Sequence, residues 1–201
     1  MFSAHSTGGE VAHSGPRYLC GMNKVTGHVV LTFDGGPHPD DTPKLLALLA
    51  RLGGVRATFF LLGLAAEHHP AIAGAITGGG HEIAVLGYRL PDVRGELAQA
   101  VTSINAATGI VPYWCRPHRD ARELGLRPVR ASCPGRDELP DATADSVYRS
   151  VLRRLDDGAQ IVLHHGPAAR SALPALLTTC RARGLRVGPL TGTAAAGRIR
   201  G

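Results

Sequence analysis

The 201-residue sequence has little of what marks several large classes of protein. No stretch approaches the roughly 20 consecutive apolar residues that a membrane-spanning helix needs, so we expect no membrane partner. The first residues, MFSAHSTGGEVAHSGPRYLC, lack the basic start and the apolar run of a secretory signal. We therefore expect a cytoplasmic protein that begins with a loose arm.

Cysteine and lysine are both scarce. The four cysteines, Cys20, Cys115, Cys133 and Cys180, form no CxxC pair. In a cytoplasmic chain this spacing predicts small buried thiols rather than disulfides or zinc ligands. The net charge of +6 comes from arginines spread along the chain. No aromatic-rich basic motif, helix-turn-helix or zinc-finger pattern accompanies them, so we expect no nucleic-acid partner.

Short apolar runs alternate with helical patterns along the chain. Strands are predicted at 29–33, 57–62, 81–86, 113–116, 127–132, 160–164 and 185–187. Helices are predicted at 42–52, 67–76, 93–108, 144–155 and 170–183. This alternation indicates an α/β fold with parallel strands, either a barrel or an open doubly wound sheet. We expect one domain at 28–192, between a flexible N-terminal arm at 1–27 and a flexible tail at 193–201.

Asp34 ends the first predicted strand and precedes Gly35, Gly36 and Pro37. Polar residues at the carboxyl ends of parallel strands line the functional site of such folds. The alternative for Asp34 is a structural role, as a turn residue or a cap of the helix that begins near Pro43.

Longer motifs carry a resemblance to a known family. The segment LTFDGGPHPDDTPKLLALL resembles the opening motif of the polysaccharide deacetylases of chitin and peptidoglycan, TFDDGPHP followed by a Thr-Pro helix. The resemblance continues through GVRATFFLLG, HHP, GGHEI, CRP and DGAQIVLHHG in the family's order. It implies an irregular (β/α) barrel with fewer than eight repeats.

The same resemblance implies that the family's metal site has been lost. In the family, the first aspartate of TFDDGP is the general base and the second binds a divalent metal; here they are Asp34 and Gly35. Two histidines of an HTYSH-like segment complete the ligand set, and Leu86 and Leu90 stand at their positions. Leucine and glycine offer no side-chain donor to a cation, so we predict no metal cofactor.

Other parts of the family's machinery remain. Arg116 in CRPH matches the arginine that orients the base, and IVLHHG resembles LLHDG, whose histidine is the general acid. This assigns the acid to His164, or to His165 if the register shifts by one residue. The segment SCPGRDE, 132–138, departs from the family's motif, because Pro134 stands at the position of a family aspartate and Glu138 at that of a tryptophan.

These residues favour three hypotheses. The first is a metal-independent enzyme in which Asp34, His164 and Arg116 carry out acid–base chemistry on a small cytoplasmic metabolite, such as isomerisation, elimination, cyclisation or rearrangement. The second is a hydrolase of N- or O-acyl groups whose zinc site is rebuilt from Asp34 and nearby histidines. The third is an inactive binding protein. The candidate substrate contacts are His38, Leu86, Tyr88, Leu90, His118 and His165, and a rebuilt metal site would draw on His38, His118, His164 and His165.

Overall fold

The computed structural model describes residues 27–91 and 95–191. The predicted tail at 193–201 and all of the predicted arm except Gly27 lie outside the described residues. The strands are β1 (His28–Asp34), β2 (Thr58–Leu62), β3 (Glu82–Gly87), β4 (Trp114–Cys115), β5 (Arg127–Pro128), β6 (Cys133–Pro134), β7 (Gln160–Leu163) and β8 (Arg186–Gly188). The helices are α1 (Asp41–Arg51), α2 (Gly63–His68), α3 (Pro70–Gly78), α4 (Leu97–Thr108), α5 (Ala144–Leu152) and α6 (Pro167–Ala182).

Every pairing between the described strands is parallel, in the order β5-β4-β3-β2-β1-β7-β6, with β8 also paired to β1. The central strand β1 contacts β2 through its carboxyl end, where Asp34 is the register partner of Phe60. It contacts β7 along 30–33. This arrangement confirms the predicted α/β class, and it brings the carboxyl ends of the strands to one edge of the sheet.

Side chains of β1 alternate between two apolar layers, as the two-residue period of a strand requires. Val29, Leu31 and Phe33 belong to the large layer between the sheet and the helices. Val30 points to the opposite, inner face, where a smaller cluster forms. That inner cluster consists of Val30, Phe60, Ala84, Trp114, Val129 and Leu190, with Leu86 packed against it. Residues on the inner face at the carboxyl ends of the strands therefore face the centre of the barrel.

Two predicted elements are divided in the structure. The helix predicted at 67–76 is split into α2 and α3, because His69 leaves the helical conformation with φ −131° and Pro70 starts the next helix. Proline has no N–H to donate and is tolerated in the first turn, so a new helix begins there. Of the strand predicted at 127–132, only 127–128 form a strand, β5, and the separate two-residue strand β6 begins just after the predicted range.

The cysteine prediction is confirmed for the three cysteines within the described residues. Cys115, Cys133 and Cys180 are buried free thiols, and Cys20 lies outside the described residues. Burial raises the pKa of Cys115 and of Cys133 to about 11, so both stay protonated at neutral pH. Across 27–91 and 95–191, no helix has the length and apolar character needed to cross a membrane.

Candidate active site

The three residues predicted to be catalytic lie at the carboxyl ends of three parallel strands. Asp34 is the last residue of β1, Arg116 directly follows β4, and His164 directly follows β7. Since all the strands run in one direction, these ends meet at the same edge of the sheet. The fold thus brings together residues that are 130 positions apart in the sequence.

Asp34 and Arg116 form a two-point ion pair on the inner face. Nε of Arg116 donates to Oδ2 of Asp34 at 2.8 Å, and Nη2 donates to Oδ1 at 2.7 Å. Only 12% of the Asp34 side chain and 9% of the Arg116 side chain are exposed. Such fork-shaped pairing fixes the orientation of the carboxylate as well as its position.

The rest of the guanidinium is also held by neighbours. Nη2 donates to Oγ1 of Thr32 at 2.8 Å, and Nη1 donates to the carbonyl of Val129 at 3.3 Å. The guanidinium carbon lies 3.8 Å from the centre of the Phe60 ring, a cation–π geometry. Arg116 is therefore held from several sides and acts as a rigid support for Asp34.

His164 is held by an aspartate that the sequence did not predict. The backbone N–H of His164 donates to Oδ2 of Asp137 at 2.8 Å, and its ring Nδ1 lies 3.3 Å from Oδ1. The Asp137 side chain is 1% exposed. The hydrogen bond to the Asp137 carboxylate raises the pKa of His164, burial opposes this, and the charges of Asp137, Asp34 and Glu138 raise it further. His164 is thus protonated more readily than a free histidine, and the negative charge of Asp34 contributes to this.

A turn brings Asp137 to this position. The segment leaves β6 at Pro134, and the N–H of Gly135 donates to the carbonyl of Val162 at 2.8 Å. A side chain at Gly135 would collide with Leu163, so only glycine allows the chain to approach β7 this closely. The family resemblance assigns an aspartate to the position of Pro134, three residues before Asp137. The available signal was the Pro-Gly turn followed three residues later by an acidic residue.

His165 points to the other side of the sheet. Its ring lies edge-on to Phe33 and Phe59 in the helix-side layer, and Nδ1 lies 2.7 Å from Oγ1 of Thr42. A side chain at Gly36 would approach Cε1 of His165 to 2.7 Å. Burial lowers the pKa of His165 to about 4, and the charge of His164 acts in the same direction. Of the two candidate acids, His164 follows β7 at the edge of the sheet that carries Asp34, and His165 is buried in the helix-side core.

Two other predicted substrate contacts, His38 and Tyr88, hydrogen-bond to residues outside the ion pair, and a third, Leu90, is largely exposed. The Nδ1 of His38 accepts from the backbone N–H groups of Asp40 and Asp41 at the start of α1, each at 3.3 Å. The hydroxyl of Tyr88 donates to Glu67 on α2 at 3.2 Å, so this ring packs toward the helices. Leu90 is 65% exposed.

Leu86 and His118 have different surroundings. Leu86 is half-buried and packs against the inner cluster. Leu90 is exposed, so the two leucines do not form one apolar pocket. His118 lines a separate cavity together with three arginines.

Gly35, Leu86 and Leu90 stand at the positions to which the family resemblance assigns metal ligands. Gly35 has no side chain, and its φ of +82° lies in the left-handed region that favours glycine. Open space surrounds the point where a Cβ would stand. Leu86 and Leu90 supply hydrocarbon alone. The side chains at these three positions therefore offer no donor to a divalent ion.

The four histidines proposed for a rebuilt zinc site do not converge. Within the described residues, the group that brings three possible ligand atoms within 4.8 Å of one another is Asp137, Glu138 and His164. His38 and His165 are held at α1 and in the helix-side core, respectively. A rebuilt site would thus use two carboxylates that the sequence analysis did not assign to it.

Comparison with known proteins identifies relatives of this chain. The family model described as "Polysaccharide deacetylase" matches residues 22–122. A peptidoglycan-N-acetylglucosamine deacetylase of Bacillus cereus is 30% identical over 197 residues, which cover 87% of this chain and 68% of the relative.

Two solved structures share the fold. A peptidoglycan N-acetylglucosamine deacetylase matches with a TM-score of 0.78 and 28% identity, covering 85% of this chain and 89% of that one. A CE4 family pseudoenzyme from Bacillus anthracis matches with a TM-score of 0.78 and 22% identity, covering 86% and 66%. These likenesses confirm the irregular (β/α) barrel with fewer than eight repeats.

Proposed function

Because the chain belongs to the polysaccharide deacetylase family, we propose that it keeps the acid–base pair of that fold and catalyses proton transfer without a metal ion. One observation carries this proposal. Asp34 and His164 are each held rigidly at the same edge of the sheet, while Gly35, Leu86 and Leu90 stand where the metal ligands are expected.

The energetics favour proton transfer over hydrolysis. A bound metal ion polarises an acyl carbonyl and lowers the pKa of water, which contributes several kcal/mol in the transition state. The residues of this chain at those positions supply neither effect. A positioned base and acid contribute about 10²–10⁴-fold through proton transfer alone, and this contribution needs no metal.

The roles follow from the surroundings of each residue. Asp34 is the base, held in one orientation by the fork of Arg116. His164 is the acid, because the hydrogen bond that its ring donates to Asp137 raises its pKa and favours the protonated form. Arg116 is a positioning residue that acts through Asp34. Together they allow a proton to leave one atom of a substrate while another proton reaches a second atom, as isomerisation, elimination and ring closure require.

The substrate that we propose is a small cytoplasmic metabolite. Support comes from the inner face, where the half-buried Leu86 packs against the apolar cluster that contains Phe60. Buried free thiols at Cys115, Cys133 and Cys180 suit a reducing compartment.

Solvent exchange tests this proposal. The protein is incubated with a small-metabolite extract in D2O, and mass spectrometry detects metabolites that gain deuterium at carbon. We expect wild-type protein, stripped of metals with a chelator, to label a small set of metabolites. Asp34→Asn and His164→Gln should each abolish the labelling, because one removes the base and the other the acid.

The matched control is His68→Gln, which changes an exposed histidine at the end of α2 and should leave the labelling intact. Labelling that survives in Asp34→Asn, or that requires added zinc, contradicts the proposal. So does the absence of label with the wild-type protein. If the protein still binds a metabolite without turnover, it is a binding protein on an enzyme fold.

A second candidate is a deacetylase with a displaced metal site. It is favoured by the convergence of Asp137, Glu138 and His164, whose donor set suits zinc. A zinc ion held there would supply Lewis-acid chemistry. Equilibrium dialysis with zinc, and acetate release from an acetylated chitooligosaccharide, test it. Stoichiometric zinc that is lost in Glu138→Gln, together with acetate release, would establish this candidate in place of the first.

A further inference from the structure

A positively charged cavity of about 400 Å³ lies beside β4 and β5. Its walls are Pro117, His118, Arg119, Arg122, Pro128 and Arg130. The described residues that line it include no aspartate or glutamate. Three guanidinium groups around one hollow repel one another, and a bound anion relieves that repulsion.

We infer that this cavity binds the phosphoryl group of a small phosphorylated ligand. Guanidinium groups match phosphate oxygens with two parallel hydrogen bonds, which is the reason that arginine is favoured wherever phosphate is recognised. The volume falls at the lower end of the roughly 300–1,000 Å³ typical of small-molecule sites. It suits a metabolite rather than a polymer.

Two of the arginines are available for such a ligand. Arg119 and Arg122 are exposed, and neither makes a side-chain ion pair with residues 27–91 or 95–191. The segment that carries them is anchored, since the buried side chains of Ala121 and Leu126 belong to the helix-side core. The charges are thus presented from a fixed turn, which lowers the entropic cost of gathering them around an anion.

The cavity adjoins the support of the acid–base pair. Pro117 and His118 directly follow Arg116, and Pro128 and Arg130 flank Val129, whose carbonyl accepts from Nη1 of Arg116. A phosphoryl group bound here would anchor a substrate next to the residue that positions Asp34. Phosphoryl binding is inferred from the cavity alone, whereas its assignment to the substrate rests on the proposed function.

Isothermal titration calorimetry with inorganic phosphate, at fixed ionic strength and neutral pH, tests the site. We expect one saturable site that Arg119→Gln and Arg122→Gln each weaken about tenfold, the effect of losing one charge-assisted hydrogen bond. Arg127→Gln is the matched control: it removes an exposed arginine from β5 that does not line the cavity, and should leave the affinity unchanged.

Several results would overturn the inference. They are the absence of saturable phosphate binding, equal weakening by Arg127→Gln, or tighter binding of citrate than of phosphate. A single-stranded oligothymidylate whose affinity rises with its length would indicate a nucleic-acid surface instead.

Asp34→Asn separates the two proposals, because it should abolish deuterium exchange and leave phosphate affinity intact. If phosphate binds as expected but no phosphorylated metabolite exchanges deuterium, the proposed function fails and the phosphoryl site stands.

Discussion

At the scale of single residues, the guanidinium of Arg116 neutralises the charge of the nearly buried Asp34 carboxylate. We predict that Arg116→Met lowers the free energy of unfolding by about 3–5 kcal/mol, because it leaves a buried charge without a partner. Adding Asp34→Asn to the same chain should recover a substantial part of that loss. Urea denaturation of the two single variants and the double variant measures both effects.

Arg116→Lys distinguishes charge from geometry. Lysine keeps the positive charge but cannot form the two parallel hydrogen bonds of the fork. The free energy of unfolding of Arg116→Lys should lie between those of the wild type and Arg116→Met. A double variant no more stable than Arg116→Met would show that the loss came from packing against Phe60 and not from the ion pair.

The His164–Asp137 pair leads to a second prediction at this scale. Asp137→Asn should lower the pKa of His164, measured by NMR titration of the imidazole, because it removes the largest contribution that raises it. Glu138→Gln is the control and should shift the pKa less, since its oxygen lies 3.8 Å from Nδ1 and its side chain is half exposed. Equal shifts in both variants would contradict the assignment of Asp137 as the partner.

The raised pKa of His164 also has a defined effect on stability. Protonated His164 stabilises the fold fully below the ordinary pKa of 6.5, and this contribution is lost as the pH rises through the folded-state value. The same pH range therefore governs both the acid of the proposed reaction and part of the stability of the edge of the sheet.

Site residues that lie in sequence motifs could be predicted from the sequence, whereas those fixed by a turn or by strand register could not. Asp34 and Arg116 stand in motifs whose order is visible along the chain, so both were identified. Asp137 was missed because its position is set by a turn against β7 that carries no periodic pattern. His164 and His165 could not be separated, since neighbouring residues of a strand point to opposite faces and the register was unknown.

At the scale of secondary structure, α5 supports the segment that carries Asp137. Oγ of Ser150 on α5 donates to the carbonyl of Pro134 at 2.9 Å. The helix begins with a reciprocal capping box between Thr143 and Ser146. This box provides partners for backbone N–H groups that the first turn leaves without them.

We predict that Thr143→Ala lowers the free energy of unfolding by about 1 kcal/mol, measured by urea denaturation, because the cap hydroxyl is lost. Thr143→Ser keeps the hydroxyl and should stay close to wild type. A loss in the serine variant as large as in the alanine variant would show that the methyl group, and not the cap, matters at this position.

Elements with a strong period were predictable, and short ones were not. β1, α1 and α6 contain enough alternating or helical apolar residues to place them within a few positions. β5 and β6 have two residues each, too few to show any period. The break between α2 and α3 was signalled by Pro70 but outweighed by the apolar pattern that continues across it.

At the scale of the whole molecule, acid should destabilise the fold through its buried histidines. His165 lies in the core with a pKa lowered to about 4 by burial, and burial lowers the pKa of His81 in the same direction. Oγ1 of Thr42 accepts the backbone N–H of His38 and lies 2.7 Å from Nδ1 of His165. The neutral ring is therefore the form that the core accepts.

As the pH falls below 6.5, His165 becomes protonated in the unfolded chain, but in the folded chain it stays neutral until about pH 4. The contribution of His165 to the free energy of unfolding therefore falls between pH 6.5 and pH 4. The loss is of order 1 kcal/mol for each pH unit. We predict that the difference in unfolding free energy between wild type and His165→Gln narrows as the pH is lowered from 6.5 to 4. Ile110→Ala, at an exposed residue without a titrating group, should show a constant difference. A constant difference for His165→Gln as well would mean that its ring is protonated in the fold, and that the core tolerates the charge.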